Sequence, residues 1–406
     1  MYLIIDVYSS AKLSENSGIV RVTRRLSREL QSLVDNIVFV VWDEDTNQYV
    51  LPSKKEYEQL SKFNGPILGD KQATETTPLL SLLPEFKSKP IWLFFPEIIL
   101  AKYRKKAIHF AKNYGIYTAA IFYDAIPILY PELCNQPIRN THSKYMLDLI
   151  ELDLVLPISQ FSADCLRIYW EEMGISTTLN TGISTTLNDR MDRLNDRRER
   201  FVIPIWLPGQ FGNSSKSMET LNANQKTINI LCVSTLEPRK NHKNLINAFL
   251  KMQESHPDLH CFLTLVGNSY NGSPEIAGYV KSICKVYSNI QWLGIVEDNV
   301  LEKLYLNSDF TVYPSYIEGY GLPIMESLWK GRPCICHNKG VMAELAKEGG
   351  CLMVDVNDVI SLSDAIYQLA SNKNLRFELS KEAVCRDIKT WKEYAQTLIS
   401  ILLSFT

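Results

Sequence analysis

The sequence predicts an α/β protein built from two doubly wound parallel sheets. Three observations carry that prediction. Short apolar runs of strand length alternate with segments of helical period through both halves of the chain. The alternation breaks once, near residues 205–227, in "WLPGQFGNSSKSMETLNANQKT", a stretch rich in Gly, Ser and Asn, and then starts afresh. Finally, 406 residues suffice for two domains that each bury a core.

In the first half the strands are "YLIID" (2–6), "IVFVVW" (37–42), "IWLFF" (91–95), "TAAIFY" (118–123) and "DLVLPI" (153–158). In the second they are "INILCVS" (228–234), "CFLTLVG" (261–267), "IQWLG" (290–294), "FTVYP" (310–314), "PCIC" (333–336) and "CLMVD" (351–355). Apolar runs joined by helices imply parallel strands covered on both faces, so each half is Rossmann-like. The expected domains are 1–210 and 228–388, joined by a linker at 211–227, with a C-terminal helix at 389–406. That helix sets Trp391, Tyr394, Leu398, Ile401, Leu402 and Phe405 at helical spacing, a pattern that fits docking on a domain better than spanning a bilayer. Residues 43–90, with "ETTPLLSLLPEF", form an irregular excursion from the first sheet. "GISTTLN" occurs at 174–180 and again at 182–188, too short for a solenoid unit and expected to be a surface connection.

Composition narrows the functions. With 46% hydrophobic and 22% charged residues and a net charge of −2, the chain reads as an ordinary globular protein with no electrostatic claim on nucleic acid. The opening "MYLIIDVYSS" has no basic leader and its apolar run stops at Asp6, so it reads as a strand and not a signal peptide. "IWLFFPEIIL" is cut by Pro96 and Glu97, well short of the roughly 20 residues a spanning helix needs. A cytoplasmic location follows as the expectation. Nine cysteines without zinc-ribbon pairing suit a reducing compartment. Cys334, Cys336 and His337 in "RPCICHN" lack a second ligand pair and read as a buried strand, and Pro257 spoils a helical pairing of His256 with His260. "DED" at 43–45 reads as surface charge. No metal site is expected.

The chemistry concentrates in two loops. "YIEGYGLPIME" (316–326) places Glu318 before a Gly319–Tyr320–Gly321 loop, opens a helix near Leu322 with Pro323 in its first turn, and sets Glu326 one turn in. Such a helix start directs N–H groups at a point that attracts phosphate, and Glu326 could then accept from a ribose diol. In "VSTLEPRKNHKNLINAF" (233–249), Arg239 and Lys240 follow a strand at its carboxyl end, where open α/β sheets bind ligands. A fork and a point charge together suit a diphosphate. Gly267 ends another strand and would admit close backbone approach. Each feature alone would more often be an ordinary loop. Arg21, Arg24, Arg25 and Arg28 fall on one helical stripe, either a solvated face or a contact for an anionic acceptor or lipid head group.

Taken together, these stretches resemble the donor-binding domain of GT-B glycosyltransferases, in particular the retaining enzymes of glycosyltransferase family 4. "STLEPRKN", "LVGN", the E-x7-E of "PSYIEGYGLPIMES" and "TWKEYAQTL" run in family order across residues 228–402. "SGIVRVTRRL", "FYDAIPILYPEL" and "PISQFSADCL" resemble the subgroup that builds bacterial surface polysaccharides, often mannosyl- or rhamnosyltransferases. The resemblance implies two Rossmann-like domains facing a cleft, with the C-terminal helix docked back on the N-terminal domain. It gives Glu318 to the donor sugar, Glu326 to the ribose, and Arg239 with Lys240 to the diphosphate. Gly18 would let the first long helix approach that diphosphate, and Asp124 would lie on the acceptor side. It further implies a nucleotide-sugar donor, with a lean to GDP-mannose, and a glycan or lipid-linked glycan acceptor for lipopolysaccharide-type assembly. No cofactor is implied, and the arginine stripe leaves peripheral contact with the inner membrane face as a further expectation. Two departures stand out: Ser234 where many members carry arginine, and Tyr123 where many carry histidine. A non-catalytic partner or chaperone of a glycosyltransferase remains the alternative.

Overall fold

A computed structural model describes residues 1–14, 16–67, 77–82, 89–134, 136–175, 201–212, 227–270 and 272–405. The chain divides into two units, Met1–Leu207 together with Thr390–Thr406, and Pro208–Lys389. Most of the 211–227 connection, and all but the first two residues of the GISTTLN duplication, lie outside the described residues.

The first unit is built on β1 (Tyr2–Asp6), β2 (Ile37–Asp43), β3 (Gln48–Val50), β4 (Ile91–Phe95), β5 (Tyr117–Phe122), β6 (Leu154–Pro157) and β7 (Phe201–Val202), in the order β3-β2-β1-β4-β5-β6-β7. All pairings are parallel except that of β3 on β2. Leu93, Phe94, Ala120, Ile121 and Leu154 are all buried on the inner strands, which is why these segments read as unbroken apolar runs. The second unit holds β8 (Ile228–Val233), β9 (Cys261–Val266), β10 (Ile290–Trp292), β11 (Phe310–Tyr313), β12 (Cys334–His337) and β13 (Cys351–Val354), all parallel, in the order β10-β9-β8-β11-β12-β13. Leu245 and Phe249 from the helix His242–Ser255 and Ile366 and Leu369 from Val359–Ser371 pack with Leu263 and Val312 of the sheet. Each such side chain contributes about 1.5–3 kcal/mol by leaving water. Strand order reverses between β1 and β4 in one sheet and between β8 and β11 in the other. These reversals are the switch points where open α/β sheets hold ligands.

The terminal helix Trp391–Ser404 opens with a capping box, Thr390 with Glu393, and buries Trp391, Tyr394, Leu398 and Leu402. It packs on the helix Gly18–Leu33 of the first unit, and the Phe405 ring meets Phe201 and Trp92 edge-on. The expected docking on the N-terminal domain is what the structure has. Cys334, Cys336 and His337 are buried on β12, as expected. Among the described residues no helix is long and apolar enough to cross a membrane.

Two expectations need correction. The arginine stripe is not one solvated face, because Arg24 is fully buried and donates to Ser10 O, Leu13 O and Asn16 Oδ1. It pins the loop between the first two helices. Residues 43–90 are not simply irregular either: β3 extends the sheet and the helix Lys54–Leu60 follows, started by a Ser53–Glu56 capping box. Elements this short fall below what apolar periodicity can register.

Candidate functional site

The switch point of the second sheet gathers the charged residues. After β8 the chain makes one 3₁₀ turn, Pro238–Lys240, and Asn241 then takes a left-handed conformation (φ +57°) before the helix His242–Ser255. Proline presets the turn, and asparagine tolerates the positive φ. The Arg239 carbonyl accepts from Tyr316 N at 2.9 Å, which ties the turn to the loop after β11.

That tie brings Glu318 onto both cations. Its Oε2 accepts from Arg239 Nη1 at 2.6 Å and its Oε1 from Lys240 Nζ at 2.6 Å. Arg239 also donates to Ile317 O (3.3 Å) and pairs with Glu237 Oε1 (2.7 Å). Lys240 donates to Tyr313 Oη at 2.7 Å. Glu318 and Lys240 are buried, at 6% and 7% exposure. Burial alone would raise the Glu318 pKa, but Arg239 and Lys240 outweigh it and hold the group at about 2. Burial and Arg239 press the Lys240 ammonium below its ordinary value, against the pull of Glu318. Arg239 loses to burial but gains more from Glu318 and Glu237, and stays fully charged. The cluster therefore offers fixed positive charge at a strand end, with a carboxylate that remains ionised.

Beyond it, Gly319 and Tyr320 are buried, and Gly321 (φ +123°) caps the helix Leu322–Trp329. A side chain at Gly321 would be strained by that φ and would press on Ile324. Pro323 has no N–H and Ile324 N donates to Gly321 O at 2.9 Å, so the helix start offers the Leu322 N–H and the positive end of the dipole. Glu326 lies in that helix, buried, and accepts from Tyr305 Oη at 2.9 Å. Gly267 (φ +144°) sits where a Cβ would fall 2.1 Å from Ser234 O, and its N–H donates to Gly294 O at 2.9 Å. Close packing of β8 against β9 demands this glycine.

Sequence reasoning passed over Tyr313, Glu237 and His242. The Ser234 hydroxyl meets His242 Nε2 at 3.0 Å, and burial followed by the Lys240 charge lowers the His242 pKa to about 3, so the imidazole is neutral. Ser234, one of the two departures, is thus half of a buried neutral pair near Lys240. Glu237 and His242 lie in the same stretch as Arg239 and Lys240, whereas Tyr313 is brought there by the pairing of β11 with β8.

The remaining candidates belong to the first unit. Gly18 is exposed and opens the helix Gly18–Leu33, with no atom within 4 Å of the place a Cβ would take. Asp124 Oδ1 accepts from Ile126 N at 3.0 Å, and its carbonyl meets His142 Nε2 at 2.8 Å. The Tyr123 hydroxyl donates to Pro96 O at 2.6 Å. At this sheet's own switch point Glu97 accepts from Ser9 N and Ser10 N, and Asp6 accepts from Tyr8 N, Tyr49 Oη and Tyr103 Oη. Burial, opposed by the Tyr8 N–H and helped by Glu97, raises the Asp6 pKa to about 7. Among the described residues no group of three or more His, Cys, Asp and Glu is placed to hold a metal ion.

Residues 213–384 match the family described as Glycosyl transferases group 1. It is 32% identical over 147 residues to O-antigen chain mannosyltransferase B of Escherichia coli, a match covering 36% of this chain and 38% of that protein. Serotype-specific mannosyltransferase WbdA of Escherichia coli is 23% identical over 98% of this chain but only 46% of its own length. The chain thus spans under half of these curated relatives. Among solved structures, HepE of Anabaena in complex with UDP and glucose superposes with a TM-score of 0.63 at 13% identity over the whole of both chains. Sucrose-phosphate synthase from Thermosynechococcus elongatus gives 0.61 at 15% identity, covering 99% of this chain and 98% of that one. The fold is GT-B.

Proposed function

We propose that this chain, a GT-B protein with a group 1 glycosyl transferase domain, moves a hexose from a nucleotide-diphosphate sugar, GDP-mannose by preference, to a hydroxyl of a glycan or lipid-linked glycan. The observation that carries the reading is Glu318 bonded at once to Arg239 and Lys240 at the switch point of β8 and β11. A mannosyltransferase role in surface-polysaccharide assembly is supported by the names of the Escherichia coli relatives.

The reaction breaks the bond between the anomeric carbon and the diphosphate oxygen. Negative charge grows on the leaving diphosphate, so catalysis needs preorganised positive charge there. Arg239, Lys240 and the helix start at Leu322 supply it from the chain itself, which is why the reading calls for no metal. Glu326, in the same helix, would accept from the ribose. Glu318 stays ionised and can orient the sugar and stabilise its developing positive charge. The acceptor hydroxyl attacks from the face the diphosphate leaves, a new carbon–oxygen bond forms, and a phosphate oxygen takes the hydroxyl proton. Configuration is then retained. Association with the inner face of the cytoplasmic membrane would follow from a lipid-linked acceptor.

The test is a panel of nucleotide sugars, without added metal, scored by thermal stabilisation and slow donor hydrolysis in the wild type and in Glu318→Ala. GDP-mannose should stabilise both and be hydrolysed only by the wild type. Failure of every donor and free nucleotide to stabilise the protein would point to a non-catalytic partner subunit. A product of inverted anomeric configuration would overturn retention.

A further inference from the structure

Lys240 carries three N–H donors on its ammonium. One goes to Glu318 and one to Tyr313, which leaves one for a ligand. The two partners differ in kind. Glu318 lies in the loop after β11, immediately before Gly319, and it is the anion that an incoming diphosphate must compete with. Tyr313 is the last residue of β11, pinned between β8 and β12, with Cys336 as its register partner. It is 3% exposed, and the Lys240 ammonium lies 5.0 Å from its ring centroid. Burial, and after it Glu318, push its hydroxyl pKa well above the ordinary value, so the oxygen remains a neutral acceptor for Lys240.

We infer that Tyr313 is a positioning residue for transfer, the fixed point that keeps the Lys240 ammonium aimed at the diphosphate when Glu318 shares its bonds with substrate. This rests on the reading of Lys240 as a diphosphate-gripping group. A phenylalanine would keep the ring and the packing but leave one N–H of a buried ammonium without an acceptor. The other groups facing Lys240 are Arg239 and Glu237 on its own turn, Glu318, the neutral His242 and the Cys232 thiol, whose pKa burial pushes up to about 12. None of them replaces the lost acceptor, because Arg239 and protonated Cys232 favour the uncharged amine or are indifferent, and Glu237 is engaged by Arg239.

The experiment measures binding of inorganic pyrophosphate by calorimetry between pH 7 and 10, so that neither base nor sugar matters. Wild-type affinity should fall at the alkaline end as Lys240 loses its proton. In Tyr313→Phe the charged form has lost a stabilising bond, so the midpoint of that fall should move about one pH unit lower, with affinity at the alkaline end down about tenfold. Donor hydrolysis should lose kcat more than it gains KM. Val312→Ala, a cavity in the same strand, should lower the melting temperature and leave the midpoint in place. An unchanged midpoint in Tyr313→Phe, or an equal shift in Val312→Ala, would overturn the positioning role. Lys240→Met separates the two readings: if it binds pyrophosphate as the wild type does, the diphosphate site itself is misplaced.

Discussion

Glu318 is a carboxylate in a dry place that must remain charged, and its stability and its chemistry follow from the same two neighbours. Its folded-state pKa of about 2 lies below the ordinary 4.5. A group depressed in this way stabilises the fold above its ordinary pKa, and that contribution is lost as pH falls from about 4.5 through about 2. Two and a half units correspond to about 3 kcal/mol. Unfolding by urea should therefore show wild type well above Glu318→Gln at pH 6 and the gap reduced to less than half by pH 3. A gap independent of pH would mean that the cations do not hold the carboxylate. In catalysis, Lys240→Ala and Glu318→Ala should each lose roughly 10²–10³ in turnover, the usual effect of removing one charged donor or orienting group at a transition state. Arg239, Lys240 and Glu318 were legible because each lies in a local pattern: two adjacent cations after a strand, and an acid before a glycine loop. Tyr313 was not, since a tyrosine closing an apolar run looks like any core residue until register sets it under Lys240.

Both sheets share a device at the level of elements. After the first strand of each sheet, donors converge on a glutamate that follows the strand beyond the switch point: Ser9 and Ser10 N–H on Glu97 in one, Arg239 and Lys240 on Glu318 in the other. In the first sheet the same crevice also buries Asp6, at the end of β1, with a pKa raised from 3.8 to about 7. Here the sign is opposite to that of Glu318: stability is fully present below about 3.8 and is lost as pH rises through about 7. Asp6→Asn should flatten the stability of the first unit between pH 5 and 8, whereas the wild type declines across it. A wild-type profile already flat over that window would contradict the burial argument. In the second sheet, Gly267→Ala should destabilise by at least about 2 kcal/mol, since φ is in the glycine region and the new methyl would meet a backbone carbonyl that cannot swing away. The long apolar strands were readable because burial on both faces leaves unbroken Val, Ile, Leu and Phe runs. The five-residue helix Tyr8–Lys12 and three-residue β3 were not, because they are too short to show a period.

The chain visits the first unit twice. Its last residues, from Thr390, leave the second unit and rejoin the first, and their helix packs on Gly18–Leu33. The apolar stripe at 391–405 was plain in the sequence, but a stripe states only that a face is covered. What covers it is a tertiary fact, and the resemblance rather than the periodicity supplied the expectation. Leu398 and Leu402 are each buried to 1% exposure or less, so Leu398→Ala and Leu402→Ala should each cost about 2–5 kcal/mol. The first unit should bear that loss, although the substitutions lie at the far end of the chain from its sheet. Calorimetry with and without pyrophosphate identifies the units, because on the proposed reading the ligand binds at Arg239 and Lys240 and raises only the transition of the unit that carries them. The Leu398→Ala protein should then show its lowered melting in the transition that pyrophosphate does not move. If the pyrophosphate-sensitive transition falls instead, the terminal helix stabilises the second unit, and its assignment to the first unit is wrong.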